Sequence, residues 1–505
     1  MSEAIGGLPA PPEVAVPRPS ASVVLMRPAA GGVEVFLVRR DSRLRFAAGF
    51  YAFPGGAVDY EDGRVPVGGV EGSGSIFPAT AARELFEETG VLCVEGGEAP
   101  EPIERDVWRQ ALLEGKEGFG EGLSKRGLRV REEDFLPAGR WVTPPFMPVR
   151  FEAQFFLVEA SPGAKAEVWS GELSEGAWVR PEDALQRWAD GQMLLHPPAL
   201  HALRTLAGFT SAADAAARME EPPHAPGDVA TRIEFQRGIL LFPLRTPTLP
   251  PATHTNAYVL GNGEALLVDP GATDAGEQAR FASFLAELQA EGRRLSAVVL
   301  THHHQDHVGA AAAVAERFGL PVWCHAKTAE RLGFAAARRL FDGEVLEVAG
   351  EPPMRFRVLH TPGHAPGHLC LVDEKSRAAV VGDMVAGIGT IVIDPTDGDM
   401  AEYVAQLTRL ARLPVGTLYP AHGPVMPDGP GKLAEYVAHR AARERLVLEA
   451  VSASGATLVE VVAAAYADTP IAMHPIAELS AAAILAKLAA EAKVARREGR
   501  YYPCR

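Results

Sequence analysis

Fifteen histidines are spread over the chain, and four of them fall within six positions of the run Thr301-His-His-His-Gln-Asp-His-Val. The run directly follows the apolar stretch Ala297–Leu300. It therefore sits on a loop at the C-terminal end of a strand, where α/β folds place their chemistry. Alternate residues of an extended loop point the same way. His302 and His304 can thus meet one ion while Asp306 and His307 turn toward a second. Neutral imidazoles and carboxylates bind zinc at about 2.0–2.2 Å. Three more elements follow strands in the order such a site requires: Thr361-Pro-Gly-His364, Val380-Val-Gly-Asp383 and Tyr419-Pro-Ala-His422. A chance histidine run in a surface loop would not bring those three with it.

Zinc lowers the pKa of a bound water from about 16 to about 7, a shift worth about 12 kcal/mol of proton affinity. Two zincs about 3.5–4 Å apart make a nucleophile available at neutral pH and polarise a carbonyl or phosphoryl oxygen. The ligand types therefore predict hydrolysis and leave the substrate open.

A second constellation lies upstream, in Ala82-Arg83-Glu84-Leu85-Phe86-Glu87-Glu88-Thr89-Gly90. On a helix, Glu84, Glu87 and Glu88 fall at i, i+3 and i+4 and share one face. Three like charges repel unless a cation sits among them. Hard oxygen ligands favour Mg²⁺ or Mn²⁺ bridging to a diphosphate. Arg83 is placed to pair with a glutamate and orient it.

The elements around these residues set the organisation. Ser22–Met26 and Val33–Arg39 read as a hairpin, Pro78–Glu88 as a helix, Phe151–Glu159 as a strand and Pro181–Trp188 as a short helix. Residues 1–19 are Pro-rich and read as a flexible leader. Residues 220–230 read as a linker. Beyond it the pattern alternates. Ala265–Val268 and Ala297–Leu300 are buried-strand runs with an amphipathic helix, Glu277–Gln289, between them. Gly309–Phe318 is a further helix, and Arg355–Leu359, Leu369–Val372 and Ala378–Val381 are further strands. From about Ala434 the chain is helical and Ala-rich, ending in two short strands about Glu498-Gly499. No internal repeat is visible.

Composition narrows the class. The 505 residues include 47% hydrophobic and 22% charged side chains, close to soluble globular averages. With 49 basic against 64 acidic residues the net charge is −15, so nucleic acid binding over the whole surface is excluded and any such contact must be local. Cys93, Cys324, Cys370 and Cys504 lie far apart and form neither a disulfide framework nor a thiolate metal site, which suits a reducing cytoplasm. No signal peptide is expected. Nor is a membrane span, since Ala481–Ala490 is too short and carries Lys487.

The H-x-H-x-D-H run, the T-P-G-H, the G-D and the late A-H-G resemble the metallo-β-lactamase fold of dinuclear zinc hydrolases. Carried over by residue, the resemblance implies that His302, His304 and His364 hold a first zinc. Asp306, His307 and His422 hold a second, Asp383 bridges, and Asp306 counts among the catalytic residues. His303, His360 and His368 fall outside this ligand pattern. Within that superfamily, Asn256-Ala-Tyr-Val-Leu, Val268-Asp-Pro-Gly, Thr390–Met400 and the helical tail resemble the beta-lactamase-like protein 2 branch over residues 232–505. That branch carries a C-terminal winged helix and includes ribonucleases acting on single-stranded RNA. Thioesterases such as glyoxalase II share the metal motifs. The tail from 436 to 505 holds nine basic and seven acidic residues, with Lys493, Arg496, Arg497 and Arg500 near the wing, where they suit phosphates.

Residues 20–215 resemble the Nudix hydrolases, on Phe53-Pro-Gly-Gly56 and the R-E-U-x-E-E-x-G half of their box. The usual box places Gly, five residues, Glu, seven residues, then Arg. Here Gly56 and Arg83 are 27 positions apart, and counting back from Arg83 lands on Ser75. The extra residues, Gly63 to Gly74, read as a loop, which resembles the long-insert coenzyme-A-type members. Asp59, Glu61 and Asp62 are candidates for the displaced carboxylate. The resemblance implies Mg²⁺ or Mn²⁺ on Glu84, Glu87 and Glu88, with Glu84 and Glu88 catalytic.

The expected architecture is α/β and α+β multidomain. It comprises a Nudix fold over 20–219, an αββα metallo-β-lactamase sandwich over 231–433 and a small winged helix over 434–505. The expected function is a cytoplasmic two-headed hydrolase. A dinuclear zinc site would cut ester, thioester or phosphodiester bonds, and a Nudix site would cut a CoA- or nucleotide-type diphosphate. The alternatives are an endoribonuclease with a nucleotide-binding Nudix half and single-stranded RNA on the tail, and a non-enzymatic nucleotide or RNA sensor. The oligomeric state is not readable.

Overall fold

A computed structural model describes residues 14–504 apart from 42, 45, 46, 69–75, 148, 161–163, 170, 210 and 221–232. Most of the expected linker and Ser75 lie outside the described residues. The chain divides into two compact units, one of residues 14–237 and one whose described residues run from 238 to 504.

In the first unit, the run Arg18–Ala29 alternates its side chains between two apolar faces. Val23 and Leu25 pack with Ala82, Leu85 and Phe86 of the helix Ile76–Thr89. Val24 and Met26 pack with Trp188, Leu200, Leu203 and Met219 of the helices Pro181–Ala189, Pro197–Leu206 and Ala212–Glu220. A strand buried on both faces reads as continuous apolar sequence, which is why Val23–Met26 shows no polar alternation. The sheet order is Leu173–Val179, Gly32–Arg40, Arg18–Ala29, Phe151–Glu159, Leu136–Val142, with the pair Arg18–Ala29 and Phe151–Glu159 parallel. The first strand opens at Arg18, inside the stretch read as a leader. The loop expected from Gly63 to Gly74 includes the end of a 3₁₀ turn, Tyr60–Arg64, and a short strand, Val67–Gly68.

The second unit contains two large sheets and a C-terminal hairpin among its described residues. One runs Ile239–Arg245, His254–Leu260, Glu264–Val268, Arg294–Leu300, Val322–His325 and Arg338–Leu340. The other runs Val345–Val348, Met354–His360, Leu369–Asp373, Ala379–Gly382 and Leu418–Pro420. Leu267, Val298 and Leu300 pack on the helices Ala275–Ala290 and Ala311–Phe318. The alternate residues Leu266, Ala297 and Val299 are equally buried, so the sheet is covered on both sides. The tail begins with the helix Gly429–Ala450, earlier than the expected Ala434. It continues through Leu458–Ala465 and His474–Ala490 to the hairpin Val494–Arg497 and Arg500–Pro503. Glu498 and Gly499 both have positive φ, 48° and 78°, as a two-residue hairpin turn requires.

One expectation is corrected. The stretch Ile471–Ala490 is long and apolar enough to cross a membrane by length and composition. In this fold its Ala481, Ile484, Leu485 and Leu488 are buried in an apolar cluster with Leu433, Val447 and Val461.

Candidate functional site

The seven residues singled out in the sequence converge in the second unit. His302, His304, Asp306 and His307 follow the strand Arg294–Leu300, His364 follows Met354–His360, Asp383 follows Ala379–Gly382, and His422 follows Leu418–Pro420. Their donor atoms form two groups. His302 Nε2 and His364 Nε2 each lie 3.0 Å from His304 Nδ1, and Asp383 Oδ2 lies 3.3 Å from His364 Nε2. Asp383 Oδ1 faces the other way, 3.6 Å from His307 Nε2 and 3.3 Å from His422 Nε2. Asp306 Oδ2 completes that group at 3.5 Å from His422 and 3.9 Å from His307.

The donor set fits divalent ions. Tetrahedral donors about 2.0–2.1 Å from an ion stand about 3.3 Å from one another, close to the spacings here. His307 Nε2 and Asp383 Oδ1 are buried and have no hydrogen-bond partner among the described residues. A buried polar atom without a partner is costly unless something binds it.

The outer nitrogens of the imidazoles are held in turn, which fixes ring orientation and tautomer. Asp269 Oδ2 accepts from His307 Nδ1 at 2.8 Å and from Thr301 Oγ1 at 2.6 Å, and Thr301 Oγ1 lies 3.0 Å from His302 Nδ1. Asp397 Oδ2 accepts from His304 Nε2 at 3.0 Å, with His303 Nε2 at 3.2 Å from the same oxygen. The carbonyls of Val392 and His254 accept from His364 Nδ1 and His422 Nδ1 at 2.9 and 3.1 Å. His368 Nε2 accepts from the backbone N–H of Asp383 at 3.0 Å. Gly271 packs against the Asp306 carbonyl, where a Cβ would come within 1.7 Å, so the Val-Asp-Pro-Gly turn must end in glycine.

Electrostatics follow from burial and charge. Burial lowers His302 well below its ordinary value and lowers His364 to about 4. Burial alone would lower His307 too, but Asp306, Asp383 and Asp269 outweigh it and raise it to about 10. Asp383 is held well down, against its burial, by His422, His307 and His364.

A second cluster lies in the first unit. Arg83 Nε donates to Asp62 Oδ1 at 2.6 Å, its Nη1 donates to Glu84 Oε1 at 2.8 Å and Glu87 Oε2 at 3.0 Å, and its Nη2 donates to the Ala57 carbonyl. Of the three candidates Asp59, Glu61 and Asp62, Asp62 is the one that meets Arg83, and it also accepts from Thr80 Oγ1 at 2.8 Å. Counted forward from Gly56, five residues precede Asp62, so the spacing is kept on that side and the insertion falls after it. Glu88 Oε2 accepts from the Gly55 N–H at 3.0 Å, and a Cβ on Gly56 would lie 2.4 Å from Glu84 Oε1. Burial raises Glu84 to about 7 and Glu88 to about 8.

Residues 250–422 match the metallo-beta-lactamase superfamily, and residues 457–500 match the beta-lactamase associated winged helix domain. The atrochrysone carboxyl ACP thioesterase of Aspergillus chevalieri is 33% identical over 258 residues, 48% of this chain and 77% of that protein. A beta-lactamase-like protein 2 homolog of Caenorhabditis elegans is 29% identical over 240 residues, 46% of this chain and 78% of that protein. The crystal structure of a NUDIX hydrolase from Alicyclobacillus acidocaldarius is similar with 32% identity and a TM-score of 0.38, covering 41% of this chain and 99% of that one. The chain spans 61% of the length of the lactamase-like proteins of Aspergillus niger that it matches. The chain belongs to the metallo-beta-lactamase superfamily and carries a C-terminal winged helix.

Proposed function

We propose that the second unit is a dinuclear zinc hydrolase acting on a thioester, and that the first is a Nudix diphosphate hydrolase using Mg²⁺ or Mn²⁺. The observation that carries the reading is Asp383. Its two carboxylate oxygens face two separate donor groups, within 3.3 Å of His364 on one side and of His422 on the other. His302, His304 and His364 would hold one ion, and Asp306, His307 and His422 the other. Two ions held there would supply an activated water at neutral pH and polarise the substrate carbonyl. Asp269, Asp397, Val392 and His254 keep the rings aimed.

The thioester class is supported by the thioesterase relative, of which the chain covers 77%. RNA is placed second because two of the four basic side chains near the wing, Lys493 and Arg500, are engaged within the tail. Lys493 Nζ is 2.7 Å from Glu491, and Arg500 Nη2 is 3.0 Å from Glu460. For the first unit, the Arg83–Asp62 pair with Glu84, Glu87 and Glu88 supports the Nudix reading. A substrate with both a thioester and a diphosphate, such as an acyl-CoA, would serve both heads.

The test is a hydrolysis panel of acyl-CoA, CoA, NADH and single-stranded RNA, with Zn²⁺ and Mg²⁺ supplied separately. Thioester cleavage with Zn²⁺ and diphosphate cleavage with Mg²⁺ are expected. RNA cleavage without thioester cleavage would overturn the substrate class.

A further inference from the structure

The segment Gly389–Asp397 links the metal-site residues to the C-terminal tail. Its neighbouring groups face opposite ways. The Ile391 carbonyl accepts from Arg440 Nη2, and the Ile393 N–H donates to Ser480 Oγ at 3.5 Å. Between them, the Val392 carbonyl accepts from His364 Nδ1 at 2.9 Å. Consecutive residues of an extended chain present opposite faces, so one side of three residues meets the tail and the other meets the site. Ile391 and Ile393 are buried in the same apolar cluster as Ala481 and Ile484 of the tail. Tyr436 of the long tail helix adds a bond to the Gly389 carbonyl at 3.3 Å and accepts from the Ala386 N–H at 2.9 Å. Arg440 also lies 5.0 Å over the Tyr403 ring, and the Tyr403 backbone packs on Gly363, where a Cβ would lie 2.3 Å from it. Farther along the segment, Asp397 accepts from His304.

Two of the three imidazoles of the first donor group are thus oriented from this one segment. The second group is oriented otherwise, with His307 on Asp269 and His422 on the His254 carbonyl. We propose that the winged-helix tail is a positioning element for the first ion only. Through Arg440 and Ser480 it fixes the segment that aims His364 and His304, and a change at the tail is transmitted to that ion and not to its neighbour. The inference rests on the two-ion reading above and deepens it.

The experiment titrates Co²⁺ into the metal-stripped full-length protein, followed by calorimetry and visible absorption. His364→Ala and His422→Ala assign the two sets of bands. Arg440→Met is expected to weaken Co²⁺ at the first site about 5–10-fold, less than the about 10–100-fold of losing a direct partner of a ligand imidazole, because Arg440 acts one residue away through the Ile391 carbonyl. The second site should stay within about 2-fold. Ser480→Ala should give a smaller shift of the same selectivity, and Asp397→Asn a selective loss within the segment itself. Those two carry the test if Arg440→Met does not fold. Arg443→Met is the control, because Arg443 binds the Ala465 carbonyl and Asp468 inside the tail. It should leave both sites unchanged. Equal weakening of both sites, no weakening of either, or an equal effect of Arg443→Met would overturn the inference. Wild-type protein that binds fewer than two cobalt ions would instead sink the two-ion reading, and the inference with it.

Discussion

Arg83 Nε donates to Asp62 Oδ1 at 2.6 Å across 21 positions of sequence, and the Asp62 side chain is fully buried. Asp62 also accepts from Thr80 Oγ1 and from the Asp59 N–H. Removing one partner of a buried ion pair costs up to about 3–5 kcal/mol, and the low end applies here because Arg83 keeps Glu84 and Glu87. Asp62→Ala should therefore destabilise the first unit by about 3 kcal/mol in urea unfolding. Five of the six tryptophans lie in that unit, so fluorescence reports it. A loss below about 1 kcal/mol would remove Asp62 from this role.

Glu84 and Glu88 predict a pH dependence. Burial is the largest cause of both shifts, opposed by Arg83 at Glu84 and reinforced by the Glu84 charge at Glu88. Their folded values, about 7 and about 8, lie above the ordinary 4.5. Between these values the folded state binds more protons than the unfolded one. The contribution is fully present below about pH 4.5 and is lost as pH rises through 7 and 8. With a chelator present, stability should fall from pH 5.5 to pH 8 by up to about 1.4 kcal/mol per pH unit for each proton of difference. Glu88→Gln should flatten the profile. A urea midpoint that does not move over this range would contradict the burial of these carboxyls.

The seven donors were legible because each sits just past an apolar strand and four of them fall within one run of six residues, although Asp306 and His307 lie in a short helix, Gln305–Val308, and not in the expected loop. The roles of their orienting partners were not, although Asp269 lies inside Val268-Asp-Pro-Gly and Val392 and Asp397 lie inside Thr390–Met400. Val392 and His254 act through carbonyls, which any residue type supplies, and Asp397 meets His304 across 93 positions. The helix carboxylates were equally legible from their i, i+3, i+4 spacing. Asp62 was one of three candidates, since only the fold shows on which side of it the insertion lies. The grip of Arg440 on Ile391 has no sequence signal, being a side-chain bond to a backbone carbonyl.

Asp269 should tune the second ion. It is 2% exposed, bonds His307 Nδ1 at 2.8 Å and also receives the Thr301 N–H and Oγ1. Asp269→Asn keeps the shape and removes the charge that outer-shell carboxylates lend to a ligand imidazole. Metal affinity should drop about 10–100-fold, read by competition with a chelating dye. Unchanged affinity would mean that His307 is aimed by packing alone.

The two heads should be separable by single substitutions, because their residues lie in different compact units. His304 contributes Nδ1 to the first donor group, 3.0 Å from both His302 and His364, so His304→Ala opens that group from its centre. Purified wild-type protein should hold close to two divalent ions in the second unit, and His304→Ala close to one. Zinc-dependent hydrolysis should fall at least about 1000-fold, as loss of an activated nucleophile removes the main catalytic term. Mg²⁺-dependent diphosphate cleavage should stay within about 2-fold of wild type. Glu88→Gln should do the reverse, since it keeps the Gly55 bond to a side-chain oxygen but removes a charge from the cation face. Mass spectrometric metal counts and the two assays on the same preparations check all four outcomes. If His304→Ala retains full zinc-dependent activity, the donors are not a metal site. If Glu88→Gln changes neither assay, the first unit binds without cutting.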